Sequence, residues 1–460
     1  MRPCLSIAEQ RVFAPVIARI KPDKVILAVL IAALLAAAST AIVFCCYRAS
    51  LPLEIDPNEA WNAWQSKSLA RLYPVADALT VNNYPPLYFY LLHAFSSLGA
   101  EEIYAGRVIS IFASLALTFL VYRVILILGA GRLAACIGAI WFLAMLAGAY
   151  TGYVGMNDPH LLGLAMMCAG FAWFVARASK GQPTEPAVLL MVLAGFIKHS
   201  LIAIPASALI WLAFDRPREA ARATALGAVA CAAGLLVCRV IYGGAFFEQL
   251  MLPRAVGWRN VHLTLAYAAP LVGSAAICIA WLVYDRRSRL AQKIAVLLAI
   301  TFISGFVQSL GDGLDVNAYF ELLFALAIGI GMAFSKIQAW PANAPRAAGI
   351  RLAFAAVLLT ALAFSSQGEP YKFAFSRDFR LDVVENVDAV RTETRRLRKM
   401  PGSISCSVML VCYWAGKPFV WDEFAMRERI ATGRWTEAEL KRQARQHRIR
   451  FETIDDRTVW

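Results

Sequence analysis

The feature that most constrains this chain is a series of apolar runs, each about long enough to cross a hydrocarbon layer. A spanning helix needs roughly 20 predominantly apolar residues. Such runs recur at about residues 25–46, 103–127, 133–153, 159–176, 222–242, 263–284, 293–309, 317–334 and 348–365. Composition agrees: 60% of residues are hydrophobic and 17% charged, where a soluble domain has about half and a quarter. The pattern predicts a polytopic α-helical membrane protein. The first run is too long for the apolar core of a signal peptide, and no convincing small-residue cleavage site follows it, so it reads as a retained anchor.

One stretch, Ala187 to Phe214, is long for one helix and short for two full spans. Charge arbitrates. Arg177 and Lys180 precede it, and Arg216, Arg218 and Arg222 follow it. Basic flanks stay in the cytoplasm, so both ends lie on the same side. This predicts a hairpin of two short helices, 187–197 and 201–214, with the tip Ile197-Lys198-His199-Ser200 below the outer surface. A buried Lys-His pair needs a water-filled cavity or an anionic partner. With the hairpin, the alternation closes at about eleven membrane helices. The predicted inner segments then hold 18 Lys and Arg and the outer loops 6. The N-terminus falls inside and the C-terminus outside a cell (inner, cytoplasmic) membrane. The net charge of +14 belongs to the inner loops, so no nucleic-acid partner is expected.

The expected organisation is a cytoplasmic N-terminus (1–24), a transmembrane domain (25–365) with a structured first outer loop (47–102), and a small extracytoplasmic α/β domain (366–460). In the first loop, Asn58 to Leu72 and Pro85 to Leu98 read as amphipathic helices in the membrane interface. In the tail, Phe379 to Lys399, Met426 to Thr432 and Thr436 to Gln446 read as helices. Ser403 to Cys406, Phe419 to Trp421 and Arg448 to Ile454 read as strands. Most of the ten cysteines sit in apolar runs, as small hydrophobes. Only Cys406 and Cys412 lie in the tail, where they could pair if the chain bends between them.

Four carboxylates, Asp56, Asp158, Asp312 and Asp315, fall at helix–loop junctions that open on the predicted outer side. His93, His160, His199 and His262, four of the five histidines, fall there too. Acids near an apolar boundary usually face water, a partner or a substrate. In EIDPNEAWNAW, Asp56 as N-cap, Pro57 at N1 and Glu59 at N3 form a helix start, and capping alone accounts for the spacing. The same rigid aim suits a carboxylate base that activates an acceptor hydroxyl. In GYVGMNDPHLLG, Asp158 again caps a helix. With His160 it could also bind a metal or steer an acceptor. Lys198 of FIKHS either snorkels or holds a phosphate. In SLGDGLDVNAYFE, Asp315 or Asn317 caps the next helix. Arg107 and Arg239 lie near the outer ends of their spans, where each could snorkel or pair with a lipid phosphate.

The long acidic first loop, the segment YPPLYFYLLHAF and the span YAGRVISIFASLALTFLVYRV together resemble the GT-C superfamily of polyprenyl-phosphate-sugar-dependent glycosyltransferases. The likeness is to its bacterial branch, related to protein O-mannosyltransferases and lipid A aminoarabinose transferases, and covers about residues 25–365. NDPH matches the second acidic motif, and Lys198 a common basic position. The resemblance implies a donor sugar on a polyprenyl phosphate, a cell-envelope glycan, lipid or protein acceptor, membrane lipids as surroundings, and transfer with inversion on the extracytoplasmic face. It implies a catalytic group of Asp56, Glu59 and Asp158. Lys198, His199, Arg107, Arg239, His160 and Asp315 would contact substrate or lipid phosphate. Where the family often has adjacent Asp-Glu, Asn58 precedes Glu59 here, so Asp56 and Glu59 compete for the base. No cofactor is implied with certainty, and a divalent metal stays open. The competing readings are a transporter or flippase of a lipid-linked saccharide, which would carry midplane charges and internal repeats, and a membrane scaffold, which would need no clustered acids.

Overall fold

A computed structural model describes residues 22–75, 77–313, 315–340, 347–363 and 368–454; most of the predicted cytoplasmic N-terminus lies outside them. Apolar sequence folds as helix throughout this region, because a backbone surrounded by lipid must satisfy its polar groups within its own segment.

The membrane part runs α1 (Pro22–Ala49), α2 (Asn58–Lys67), α3 (Leu87–Ser97), α4 (Glu102–Ile127), α5 (Arg132–Ala149), α6 (Pro159–Ser179), α7 (Glu185–Gly195), α8 (Ala203–Asp215), α9 (Pro217–Tyr242), α10 (Ala245–Leu250), α11 (Trp258–Ala268), α12 (Val272–Tyr284), α13 (Arg289–Gln308), α14 (Phe320–Ala339) and α15 (Ala347–Ala363). Among the described residues, seven helices are long and apolar enough to cross a membrane, or eight with α11 and α12 taken as one bent span. Helices α7, α8 and α15 are apolar but shorter. The predicted hairpin is present as α7 and α8, joined through Lys198 and His199.

Helix α14 is the hub. Every residue from Phe320 to Phe334 is buried, and it packs against α5, α12 and α13. Its approach to α5 is backbone-close: a Cβ on Gly138 would lie 2.7 Å from the Ala327 carbonyl, and one on Gly331 3.1 Å from the Ala134 carbonyl. Without a hydrophobic driving force between helices in lipid, such small-residue contacts supply the packing energy. Conversely, α9 is mostly exposed, as befits a lipid-facing surface.

The tail comprises α16 (Glu369–Phe375), α17 (Arg377–Lys399), β1 (Ile404–Cys406), α18 (Met409–Trp414), α19 (Glu423–Ala431), α20 (Glu437–Gln446) and β2 (Arg450–Glu452). The strands pair in parallel, Ile404 opposite Arg450, and Cys406 forms a disulfide with Cys412. The strand expected at Phe419 to Trp421 is instead an irregular segment. Its apolar side chains face the first loop, with Trp421 in a cluster containing Leu79 and Val81; at its end the Asp422 N–H donates to the Leu79 carbonyl at 2.8 Å. Its hydrophobicity comes from this docking, not from a sheet.

The tail and first loop are bound together by buried polar contacts. Trp61 Nε1 donates to Asp422 Oδ2 at 3.0 Å, Tyr413 Oη to Glu102 Oε2 at 2.5 Å, and the Leu410 N–H to Glu54 Oε2 at 2.7 Å.

Candidate active site

Two adjoining cavities open where the first loop, the hairpin tip, the loop before α14 and the tail meet. The larger, about 530 Å³, is lined by Asp56, Asp158, Lys198, His199, Asp312 and Asp315, among others. The smaller, about 480 Å³, lies between the first loop and the tail, with Trp421, Arg427 and Glu428 in its wall. Asp56, Tyr84 and Arg254 line both, so Asp56 stands at the junction.

The chain aims Asp56 by turning into α2. Asp56 Oδ1 accepts the Asn58 N–H at 2.8 Å, and its carbonyl accepts the Glu59 N–H at 3.0 Å. The carboxylate thus caps the turn while its second oxygen takes no part in that bond. Burial pushes the Asp56 carboxyl up to about 6; the Asn58 N–H opposes this, and the charges of Asp158, Glu59 and Asp315 add to it.

Asp158 is the N-cap of α6, with Oδ1 accepting the His160 N–H at 2.7 Å. Asp315 caps the short 3-10 turn before α14, with Oδ1 accepting the Val316 N–H at 2.7 Å; its Oδ2 accepts from Tyr153 Oη at 3.2 Å. Lys198 is only 4% exposed. Its Nζ lies 3.7 Å from the Tyr84 ring centroid, a contact a cation favours, and no carboxylate pairs with it among the described residues. One cavity therefore holds three acids, Asp56, Asp158 and Asp315, each accepting a backbone N–H at a turn or helix start, and an unpaired, nearly buried ammonium group.

Other expected site residues fall elsewhere. Glu59 and Arg107 form an ion pair with both side chains fully buried. Arg107 Nε donates to Glu59 Oε1 at 2.7 Å and Nη2 to Oε2 at 2.6 Å, with further bonds to the Leu51 and Leu53 carbonyls. The expectation that Arg107 meets lipid phosphate is corrected: its fork is occupied inside the protein. Arg239 is exposed in the last turn of α9 and lines neither cavity. The His160 ring packs edge-on against Phe320 at 5.4 Å, outside both cavity walls. Among the described residues, no group of three His, Cys, Asp or Glu side chains is arranged to hold a metal ion.

Glu59 and Asn157 set the spacing of the acids. Glu59 Oε1 accepts the Asn157 N–H at 3.1 Å, and Asn157 Nδ2 donates to the Glu59 carbonyl at 2.9 Å. Asn157 fits because residue 106 is glycine, where a Cβ would lie 1.8 Å from Asn157 Oδ1. The loops of Asp56 and Asp158 are thereby fixed to each other. Arg254 was not among the expected site residues; in the sequence it is one of six basic residues in the predicted outer loops, with nothing local to single it out. It lies over the Phe424 ring of the tail, 5.6 Å from the centroid.

Solved structures share this architecture. The chain is similar to ArnT from Cupriavidus metallidurans. Against its apo state the TM-score is 0.57 at 12% identity, over 87% of this chain and 88% of that one. Against the undecaprenyl-phosphate-bound state it is 0.55 over the same shares, also at 12% identity. The oligosaccharyltransferase AglB from Archaeoglobus fulgidus, in complex with an inhibitory peptide and a dolichol-phosphate, aligns with a TM-score of 0.48 at 13% identity, over 92% of this chain and 69% of that one. No protein-family model and no curated protein matches the sequence.

Proposed function

We propose that this protein transfers a sugar from a polyprenyl-phosphate donor to an acceptor hydroxyl or amine at the extracytoplasmic face of the cell membrane. The carrying observation is the junction position of Asp56, shared by a cavity containing Lys198 and a second cavity walled by the tail. The GT-C likeness, which includes a relative bound to undecaprenyl phosphate, supports the same reading.

In this scheme the donor's phosphate lies in the larger cavity, against Lys198 with His199 and Arg254 beside it. The acceptor reaches Asp56 from the tail side. Asp56 takes the acceptor proton as the acceptor atom attacks the anomeric carbon. The bond from that carbon to the phosphate oxygen breaks on the opposite face, which inverts the anomeric centre. The departing phosphate keeps the electron pair, and its charge is met by the Lys198 ammonium. Asp158 and Asp315 hold the acceptor or the sugar hydroxyls and keep the Asp56 proton affinity high. Glu59 is enclosed and ion-paired, which favours Asp56 as the base.

The proposed orientation puts the tail on the extracytoplasmic side of the membrane. Its Cys406–Cys412 disulfide fits that side, because disulfides persist in oxidising compartments. The test of the reaction class is a panel of labelled polyprenyl-phosphate sugars with purified protein in lipid and a cell-envelope extract as acceptor. Consumption of one donor, with release of polyprenyl phosphate and label on the acceptor, is expected. Translocation of an intact donor without cleavage would contradict it and point to a flippase.

A further inference from the structure

Glu321 occupies the first turn of α14 and is 3% exposed. It touches neither cavity. Its carboxylate reaches sideways to the start of α8, where Oε1 accepts the Ile204 N–H at 2.9 Å and Oε2 the Ala203 N–H at 3.4 Å. The first N–H groups of a helix have no partner within the helix. Here that start is buried, with Ala203 and Ile204 almost inaccessible, so water does not substitute. No side chain of α8's own N-cap does so either.

The placement matters because of what lies on each side of the contact. Immediately before Ala203 is the hairpin tip: the Leu201 N–H donates to the Lys198 carbonyl at 3.4 Å and the Ile202 N–H to the Ser200 carbonyl at 3.1 Å. Six residues before Glu321 is Asp315, in the acidic wall of the cavity. Gln308, at the other end of the same connecting loop, donates from Nε2 to the Ser200 carbonyl at 3.2 Å. Gln308 therefore holds the tip itself and Glu321, through a buried carboxylate, the start of the helix that follows it.

We infer that Glu321 is a positioning residue for lipid-phosphate binding: by capping the buried start of α8 it holds the hairpin tip so that Lys198 stands opposite the acids. This rests on the reading of Lys198 as the phosphate contact. Without the carboxylate, two N–H donors lose their acceptors in an apolar interior. The way to satisfy them is to shift the helix start toward the wet cavity, which carries the tip and Lys198 with it.

The test is the affinity of undecaprenyl phosphate for purified full-length protein in lipid nanodiscs, measured for wild type, Glu321→Leu, Glu321→Gln, Lys198→Ala and the Glu321→Leu/Lys198→Ala double variant. Glu321→Leu is expected to weaken binding about tenfold, a coupling typical of residues acting through one another. Glu321→Gln keeps one oxygen acceptor and is expected to restore most of the affinity. In the Lys198→Ala background, Glu321→Leu is expected to add little. Wild-type affinity in folded Glu321→Leu, or full additivity with Lys198→Ala, would overturn the inference while leaving the lipid-phosphate reading intact. No binding by folded wild type would overturn both. Should Glu321→Leu not fold, Glu321→Asp, which draws the carboxylate back by one methylene, replaces it in the same cycle with the same criteria.

Discussion

Arg107 clasps Glu59 with two parallel hydrogen bonds, Nε to Oε1 at 2.7 Å and Nη2 to Oε2 at 2.6 Å, in a place where neither side chain reaches solvent. Such a fork is strong and directional. It fixes α2, and with it Asp56, against α4. Glu59 is thereby held in a buried ion pair, which leaves Asp56, three residues earlier, as the proposed base.

That division is testable by stability. Glu59→Gln leaves a buried guanidinium without its counter-charge, and breaking a buried pair in this way costs about 3–5 kcal/mol. A markedly lower melting temperature in detergent is expected. Asp56→Asn is expected to melt like wild type or slightly higher, because it relieves repulsion from Asp158, Glu59 and Asp315. A Glu59→Gln variant that melts normally but transfers no sugar would reverse the assignment.

The raised proton affinity of Asp56 has a kinetic consequence. A base works only when deprotonated, so kcat/KM is expected to rise with pH through about 6 and level off above it. Asp158 is one of the charges that raises the value. Asp158→Asn should therefore move the midpoint to lower pH, whatever it does to the plateau. A pH–rate profile on both proteins checks this; a midpoint that stays put or rises would contradict the coupling.

Much of this site was legible in the sequence because helix starts announce themselves. Asp-Pro at 56–57 and 158–159, and the turn residues around Asp315, mark places where a carboxylate is held at a junction, and all three acids share one cavity. The basic flanks of the 187–214 stretch predicted a hairpin, which put Lys198 at its tip. Arg107 was misassigned because its partner is 48 residues away, and an arginine near the end of an apolar run looks the same whether it meets lipid or protein. Arg254 lines both cavities and meets Phe424 of the tail, 170 residues later, a contact no local pattern records. Glu321 gave no capping signal because the helix it caps is not the one it belongs to. The missing strand at 419–421 has the same origin: local hydrophobicity records burial but not the partner.

Glu54 links the first loop to the tail and predicts a pH-dependent stability. Burial pushes its carboxyl up to about 8; the Leu410 and Met409 N–H groups oppose this, and the charges of Glu59 and Asp56 add to it. The folded value lies above the ordinary 4.5, so the protonated form is the one that favours folding. Its contribution is fully present below about 4.5 and is lost as pH rises through about 8. Thermal unfolding followed across this window should show wild type weakening toward alkaline pH. Glu54→Gln, which cannot ionise, should show a flatter profile. Equal slopes would mean that another group governs the loop–tail contact.

The most direct test of the central claim is a single-turnover measurement with Asp56→Asn beside wild type, using a labelled polyprenyl-phosphate sugar that wild type consumes. The account predicts that the variant binds the donor with wild-type affinity and fails to transfer its sugar. Transfer at the wild-type rate by Asp56→Asn would contradict it, and would remove the carboxylate at the junction of the two cavities from the chemistry.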